Sequence, residues 1–225
     1  MRPRNLTYHS SHLLRALQWL AVILVCKVTL AILLVYGDYF PPTFERGFLE
    51  GRRAYFFSGY HLAFYAHILS GPLALMLALL LIQSRLRQRW PQWHRWLGRA
   101  QVGLVLLLLT PSGLWMSAYA QTGVIAGLGF ASLAMLTAIC VLQGWRSARQ
   151  HRFSAHQTWM WRTIILLNSA LVLRVLGGLA TIFQISGEWA YTAAAWASWL
   201  APLASYSIIR RNRIQLSVFK SSPSR

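Results

Sequence analysis

Long apolar runs alternate with short polar segments along this chain of 225 residues. A helix needs about 20 mostly apolar residues to cross the hydrocarbon core of a bilayer, and six runs reach that length. The pattern therefore predicts an all-α polytopic membrane protein with six transmembrane helices, spans 1 to 6, over residues 16–36, 59–82, 100–120, 124–145, 163–183 and 190–208.

The polar connections that follow spans 2 and 4 are similar to each other. One passes from Gln83 through His94 to Arg99, and the other from Gln143 through His156 to Arg162. We interpret spans 2–3 and 4–5 as two copies of one helical hairpin in a parallel repeat. The alternative is that interfacial loops in membrane proteins carry Trp, His and Arg without any repeat.

This interpretation predicts the organisation of the whole chain. Spans 2–5 form a four-helix core over residues 59–183, and spans 1 and 6 flank it. The chain is then a single integral membrane domain over residues 1–225, with a cytoplasmic tail at 209–225.

Basic residues lie mainly on one side of the predicted spans, in the N-terminal segment and in segments 83–99, 145–162 and 209–225. The long loop 38–58 on the other side has three arginines and three acidic residues. The excess of basic residues near cytoplasmic helix ends predicts that both termini are cytoplasmic. We expect a multi-pass protein of the bacterial inner membrane.

The formal net charge of +18 raises nucleic-acid binding as a function. However, only 12% of the residues are charged, about half the share of a soluble domain, and the arginines lie at the ends of apolar runs. We therefore expect the lipid bilayer, and no nucleic acid, as the partner. The sequence has no nucleophile elbow, Gly-rich phosphate loop or zinc-binding helix, and it suggests no catalytic residue.

His94 and His156 are the strongest candidates for chemistry. They begin spans 3 and 5, which are diagonal partners in a parallel repeat. Two imidazoles that face each other across a four-helix bundle suit the axial ligation of the iron of haem b. Arg99 and Arg162 then lie near enough to contact the haem propionates. The alternative is that both histidines bond only lipid headgroups or loop carbonyls.

A second group of candidates lies deeper in the spans. Lys27, His67 and Arg174 are predicted at similar depths, and no Asp or Glu lies in any span to neutralise them. Such a group predicts a cationic pocket for a small anionic ligand or a quinone. The alternative is that Lys27 extends to the interface and Arg174 bonds backbone carbonyls.

Five sequence segments between residues 66 and 174 occur together, namely AHILSGPLAL, HRWLGR, GF, HQTWMWR and LR. Their combination resembles a bacterial family of predicted multi-pass membrane proteins catalogued as a domain of unknown function. The resemblance implies a membrane topology but no activity.

A looser similarity is to the ascorbate-reducible b-type di-haem transmembrane cytochromes, whose four core helices carry two histidine pairs. This resemblance implies that His94 and His156 match one pair and that His67 matches one member of the other. The missing partner would lie near Gly127, where this sequence departs from that family.

Two functions follow as hypotheses. In the first, the protein is a b-type haem-binding membrane electron-transfer protein that exchanges electrons with a quinone near His67 and Arg174. In the second, it is a haem-free transporter or sensor that binds a small anion in the cationic pocket. A structural or assembly role without a ligand is the third option.

Overall fold

The structure, a computed structural model, describes residues 23, 27, 30, 31 and 34–221, without the side chains of 213, 214 and 216–221. The chain divides into two compact units, Met1–Ala54 and Tyr55–Arg225. In the described ranges the regular structure is helical apart from one isolated bridge between Tyr39 and Pro42.

The first unit contains two short 3-10 turns, Tyr36–Asp38 and Gly47–Leu49. Arg46 forms an exposed salt bridge of 2.6 Å with Asp38. Arg52 is buried, and its Nε atom donates to the Phe48 carbonyl at 2.7 Å. These contacts show that the predicted outer loop contains folded structure. Most of predicted span 1 lies outside the described residues.

From residue 53 onward the described chain forms six helices. They are α1 (Arg53–Leu81), α2 (Ser84–Arg89), α3 (Pro91–Ser117), α4 (Val124–Arg149), α5 (Phe153–Ile182) and α6 (Glu188–Ser221). α1 includes the π-helical turn Phe56–Tyr60, and α3 includes the π-helical turn Val105–Leu109. In α5, the segments Phe153–Leu167 and Ser169–Ile182 meet at a turn residue, Asn168.

Four of these helices, α1, α3, α4 and α5, are long and apolar enough to cross a membrane. They correspond to predicted spans 2 to 5. Six spans are not confirmed in the described part of the chain. Predicted span 6 lies within α6, which is helical but less apolar, because Ala, Ser, Tyr and Trp occupy many positions that Leu, Ile or Val occupy in the other four.

Three of the four membrane helices, α1, α3 and α5, begin earlier than the apolar runs predict, whereas α4 begins at the predicted residue, Val124. α3 begins at Pro91 and α5 at Phe153, whereas the predicted spans begin at residues 100 and 163. The reason is that backbone hydrogen bonds continue through the polar residues at the interface. Hydropathy alone does not detect that part of a helix.

The four membrane helices close into a bundle. α1 packs against α3 and α5, and α4 packs against the same two helices from the opposite corner. α6 packs on the outside of α4 and α5. Spans 2–5 therefore form the predicted four-helix core, in which α3 and α5 are diagonal partners.

The centre of the bundle is a layer of small and branched apolar residues. Ala74, Val105 and Val141, from three different helices, are fully buried there. Met160 and Leu167 of α5 pack against them. Neighbouring helices run antiparallel. Residues of two helices that are equally far from this layer, toward the same end of the bundle, therefore lie at the same height.

We call the end of the bundle that carries segments 82–99, 145–162 and 209–212 the basic end, because it holds most of the arginines. At the opposite end, aromatic rings join α1 to α3. The rings of Tyr55 and Tyr119 stack with centroids 4.7 Å apart, and Tyr60 meets Tyr119 edge-on at 5.1 Å. Aromatic residues at a helix end are typical of a membrane–water interface.

Candidate functional site

His94 and His156 lie together at the basic end of the bundle. They occupy the first turns of the diagonal helices α3 and α5. Their imidazoles are within electrostatic range of each other, and Arg87 of α2 is within range of His94. The fold thus brings two histidines from different hairpins to one end of the core.

The His156 ring is held in one orientation by the backbone of α4. Its Nδ1 atom lies 2.9 Å from the Gly144 carbonyl oxygen. Because a carbonyl only accepts hydrogen bonds, Nδ1 carries the proton, and in the neutral ring the lone pair is on Nε2. Histidines that bind metals are commonly held by such a bond from the other ring nitrogen.

The missing side chain at Gly144 leaves space for the end of the Met160 side chain. A Cβ atom at Gly144 would overlap the methyl group of Met160 and would lie 3.4 Å from the Cβ of Trp159. Met160 is one helical turn beyond His156 and fills the space beside it. Its thioether chain is flexible and can repack around a ligand.

On α3, buried polar atoms of two side chains, His94 and Gln101, have no hydrogen-bond partner in the described structure. One is Nδ1 of His94. The other is the side-chain amide of Gln101, which is 3% exposed and whose nitrogen and oxygen both lack a partner. An amide buried in this way costs roughly 2–7 kcal/mol. A ligand that bonds these atoms would offset that cost.

Gln101 belongs to the same layer as the His156–Gly144 bond. Gln101 lies one turn from Val105 on α3, and Gly144 lies one turn from Val141 on α4, in both cases toward the basic end. His94 lies on the same face of α3 as Gln101, about 10 Å nearer the basic end. We call Gln101, Gly144 and His156 the inner polar layer, and His94 lies beyond it toward the basic end.

Sequence reasoning missed Gln101. A signal was present, because Gln101 is a polar residue inside a predicted span, seven positions after His94 and therefore on the same helix face. Its burial is visible only once α1 and α4 pack around α3.

Arg99 and Arg162 contact tryptophans of their own helices. The Arg99 guanidinium lies 5.2 Å from the Trp96 ring centroid, and that of Arg162 lies 4.6 Å from the Trp159 ring centroid. Arg99 is exposed and lies about 140° around α3 from His94. Neither arginine shares the helix face of its histidine. The predicted contact of Arg99 and Arg162 with haem propionates stays a prediction.

His67 is held between α1 and α3. Its Nδ1 atom lies 3.3 Å from Oγ of Ser112. The Ser112 hydroxyl donates to the Leu108 carbonyl at 2.6 Å, so it accepts from the imidazole. A Cβ at Gly113 would lie 3.3 Å from the ring, so the missing side chain makes room for His67.

Arg174 of α5 lies within electrostatic range of His67. One guanidinium nitrogen donates to the Ala170 carbonyl at 3.2 Å. On the same exposed helix face, a Cβ at Gly177 or Gly178 would meet nothing within 4 Å. The structure thus places an imidazole, a guanidinium and an open helix face together.

Lys27 is helical and exposed, and it belongs to the first unit of the chain. Its predicted place in the pocket with His67 and Arg174 stays a prediction.

The model of a family described as predicted membrane protein (DUF2306) matches residues 64–209, which is more than half of the chain. The chain belongs to this family. The resemblance drawn from residues 66–174 is therefore confirmed, and the match includes every candidate residue except Lys27. No curated protein and no solved structure matches the chain.

The similarity to the di-haem cytochromes is not shown for this DUF2306 chain. A Cβ at Gly127, where the fourth histidine would be needed, would lie 2.6 Å from the Ser117 carbonyl oxygen. Backbone contact between α3 and α4 therefore leaves no room for a side chain there. Among the described residues, no three His, Cys, Asp or Glu side chains converge on one point.

Proposed function

We propose that this membrane protein binds one b-type haem between His94 and His156 and transfers electrons within the membrane. The observation that carries the proposal is that His94 and His156 begin diagonal helices at the same end of the core, with the His156 tautomer set by the Gly144 carbonyl. That tautomer leaves Nε2 as a donor atom for iron.

The donor chemistry of His94 and of the inner polar layer fits such a group. The imidazoles of His94 and His156 would hold the haem, which would supply one-electron chemistry when bound. Gly144 holds the His156 ring, while the unpartnered Gln101 amide offers a donor and an acceptor in the same layer. Met160, which rests on Gly144, is the side chain that would repack.

An absorbance spectrum of the purified full-length protein tests this function. We expect a Soret band that sharpens and shifts with dithionite, in the protein as isolated or after haem supplementation. His94→Ala and His156→Ala should each abolish the band. His151→Asn is the matched control, because His151 is an exposed histidine at positive φ, a conformation that Asn tolerates.

Two results would contradict the proposal in different ways. A wild-type protein without a Soret band under all these conditions would remove haem binding. A band that survives both alanine substitutions would leave haem binding in place and remove His94 and His156 as the ligands.

We propose as the second candidate a haem-free transporter or sensor for a small organic anion. The observation that favours it is the Arg174 guanidinium on α5 together with Gly177 and Gly178, where the helix face is open. An ionisable side chain within a membrane helix is costly and commonly marks a ligand pathway.

Uptake of radiolabelled acetate and succinate into proteoliposomes tests the second candidate. We expect Arg174→Gln to abolish uptake while expression is retained. Arg149→Gln is the control, because Arg149 is an exposed arginine at the end of α4, over the Trp145 ring. No uptake by the wild type, or equal uptake by Arg174→Gln, would remove this candidate.

A further inference from the structure

A cleft of about 520 Å³ opens between α5 and α6 at the basic end of the bundle. One face of α5 and one face of α6 form its walls, since the spacing of the lining residues follows the helical repeat. The residues that matter here are Ser154, Gln157, Thr158 and Trp161 on α5 and Tyr206 and Arg210 on α6.

The polar groups of the cleft suit a phosphate. Arg210 is half-buried and supplies a permanent positive charge. Ser154 and Tyr206 add hydroxyl groups, and Gln157 adds an amide, while the Thr158 hydroxyl donates to the Ser154 carbonyl at 2.9 Å. A guanidinium surrounded by neutral donors is the arrangement that binds phosphate oxygens through charge-assisted hydrogen bonds.

Among the described residues of the unit that contains the cleft, Tyr55–Arg225, Glu188 is the only acidic side chain. The chain has four acidic residues, Asp38, Glu45, Glu50 and Glu188. Three precede α1, and Glu188 begins α6, roughly 33 Å along the helix from Arg210. An anion in the cleft would therefore meet net positive charge.

The position of the cleft favours a lipid over a soluble anion. It lies where a membrane-spanning helix and its neighbour reach the interface. Apolar side chains at the cleft are also exposed, with Trp161 at 45% and Ile209 at 54%. A ligand with a phosphate and an acyl chain would contact both kinds of surface.

We propose that this cleft binds the phosphate headgroup of an acidic phospholipid. The site is separate from the inner polar layer, His94, His67 and Arg174, so it does not depend on either proposed function. Basic pockets between membrane helices are known places for acidic headgroups.

Thermal unfolding of the full-length protein in detergent tests this site. Short-chain phosphatidylglycerol, short-chain phosphatidylcholine and inorganic phosphate are titrated separately. We expect phosphatidylglycerol alone to raise Tm at low concentration. An equal rise with inorganic phosphate would overturn the lipid assignment, and an equal rise with phosphatidylcholine would overturn the phosphate-and-charge argument.

Substitutions locate the binding to the cleft. Arg210→Gln should raise the phosphatidylglycerol concentration needed for half of the Tm shift by on the order of 10-fold or more. Arg211→Gln is the matched control, because Arg211 is the exposed neighbour that does not line the cleft. Ser154→Ala should give a smaller weakening if Arg210→Gln fails to fold.

Equal responses of Arg210→Gln and Arg211→Gln would overturn the proposal. If only Ser154→Ala is folded, a response identical to wild type would overturn it as well. Native mass spectrometry independently counts the phosphatidylglycerol molecules bound to the protein. Arg210→Gln should bind one fewer than the wild type, and Arg211→Gln should bind the same number as the wild type.

Discussion

Nδ1 of His156 donates a hydrogen bond of 2.9 Å to the carbonyl oxygen of Gly144. This bond ties the first turns of α5 to the last turns of α4 and sets the tautomer of the imidazole. A Cβ at Gly144 would overlap the terminal methyl group of Met160, so a side chain there requires Met160 to repack.

Gly144→Ala should destabilise the protein by about 1–3 kcal/mol, the usual cost of overpacking. The added methyl group forces the end of the Met160 side chain to move. Thermal unfolding in detergent measures the loss of stability, and the Soret band, where present, should weaken because Met160 fills the space beside His156.

Met160→Ala tests the cause of that loss. In the double variant the overlap is removed, so Gly144→Ala should cost less in the Met160→Ala background than in the wild type, with a coupling of about 0.5–3 kcal/mol. Additive effects would show that Gly144 matters for a reason other than this contact.

Gln101→Met should raise the stability of the ligand-free protein by about 1–3 kcal/mol, because it removes an unsatisfied buried amide at similar volume. The same substitution should weaken binding of any ligand that bonds the amide. Tm without added haem and haem titration give the two readouts. Gln143→Met, at a half-buried position of α4, should change neither.

A fall in Tm for Gln101→Met would contradict this account. It would mean that the amide makes hydrogen bonds in the folded protein and that its burial requires no ligand.

Gly113→Ala should press against the His67 ring, which lies 3.3 Å from the added carbon. We expect a lower Tm than for Gly103→Ala, the control on the same helix, where a Cβ meets nothing within 4 Å. Adding His67→Ala should remove most of the difference, since the ring is the contact. If Gly113→Ala lowers Tm equally in the wild-type and His67→Ala backgrounds, this contact is refuted.

Gly127→Ala should be more destabilising than Gly177→Ala. At Gly127 the added carbon lies 2.6 Å from a backbone oxygen of Ser117, which cannot rotate away, whereas at Gly177 it meets open space. We expect a loss of about 1–3 kcal/mol at Gly127 and little change at Gly177. Comparison of the two Tm values is the measurement, and equal values would argue against close contact between α3 and α4.

Much of the fold was predictable from the sequence because a bilayer requires long apolar helices. The runs behind α1, α3, α4 and α5 are of this kind, and the structure confirms them as candidate spans. The helix starts were not predictable to the same accuracy. α3 begins at Pro91 and α5 at Phe153, within polar segments where hydropathy carries no signal.

The candidate site was only partly predictable. His94, His156, His67 and Arg174 were identified because polar residues are rare in such helices. The structure places His94 and His156 in the first turns of diagonal helices at one end of the bundle, and it places His67 against Ser112. It also places Arg99 and Arg162 over tryptophans of their own helices, a contact that the prediction of propionate binding did not include.

The sequence by itself determined that this is a membrane protein with apolar helices and a few costly polar residues, because composition and run length decide what a bilayer accepts. Only the tertiary structure decided which atoms are buried and which meet. The unpartnered amide of Gln101 and the bond from His156 to Gly144 depend on how closely neighbouring helices approach. That distance is set by contacts between side chains far apart in the chain, which local sequence patterns do not report.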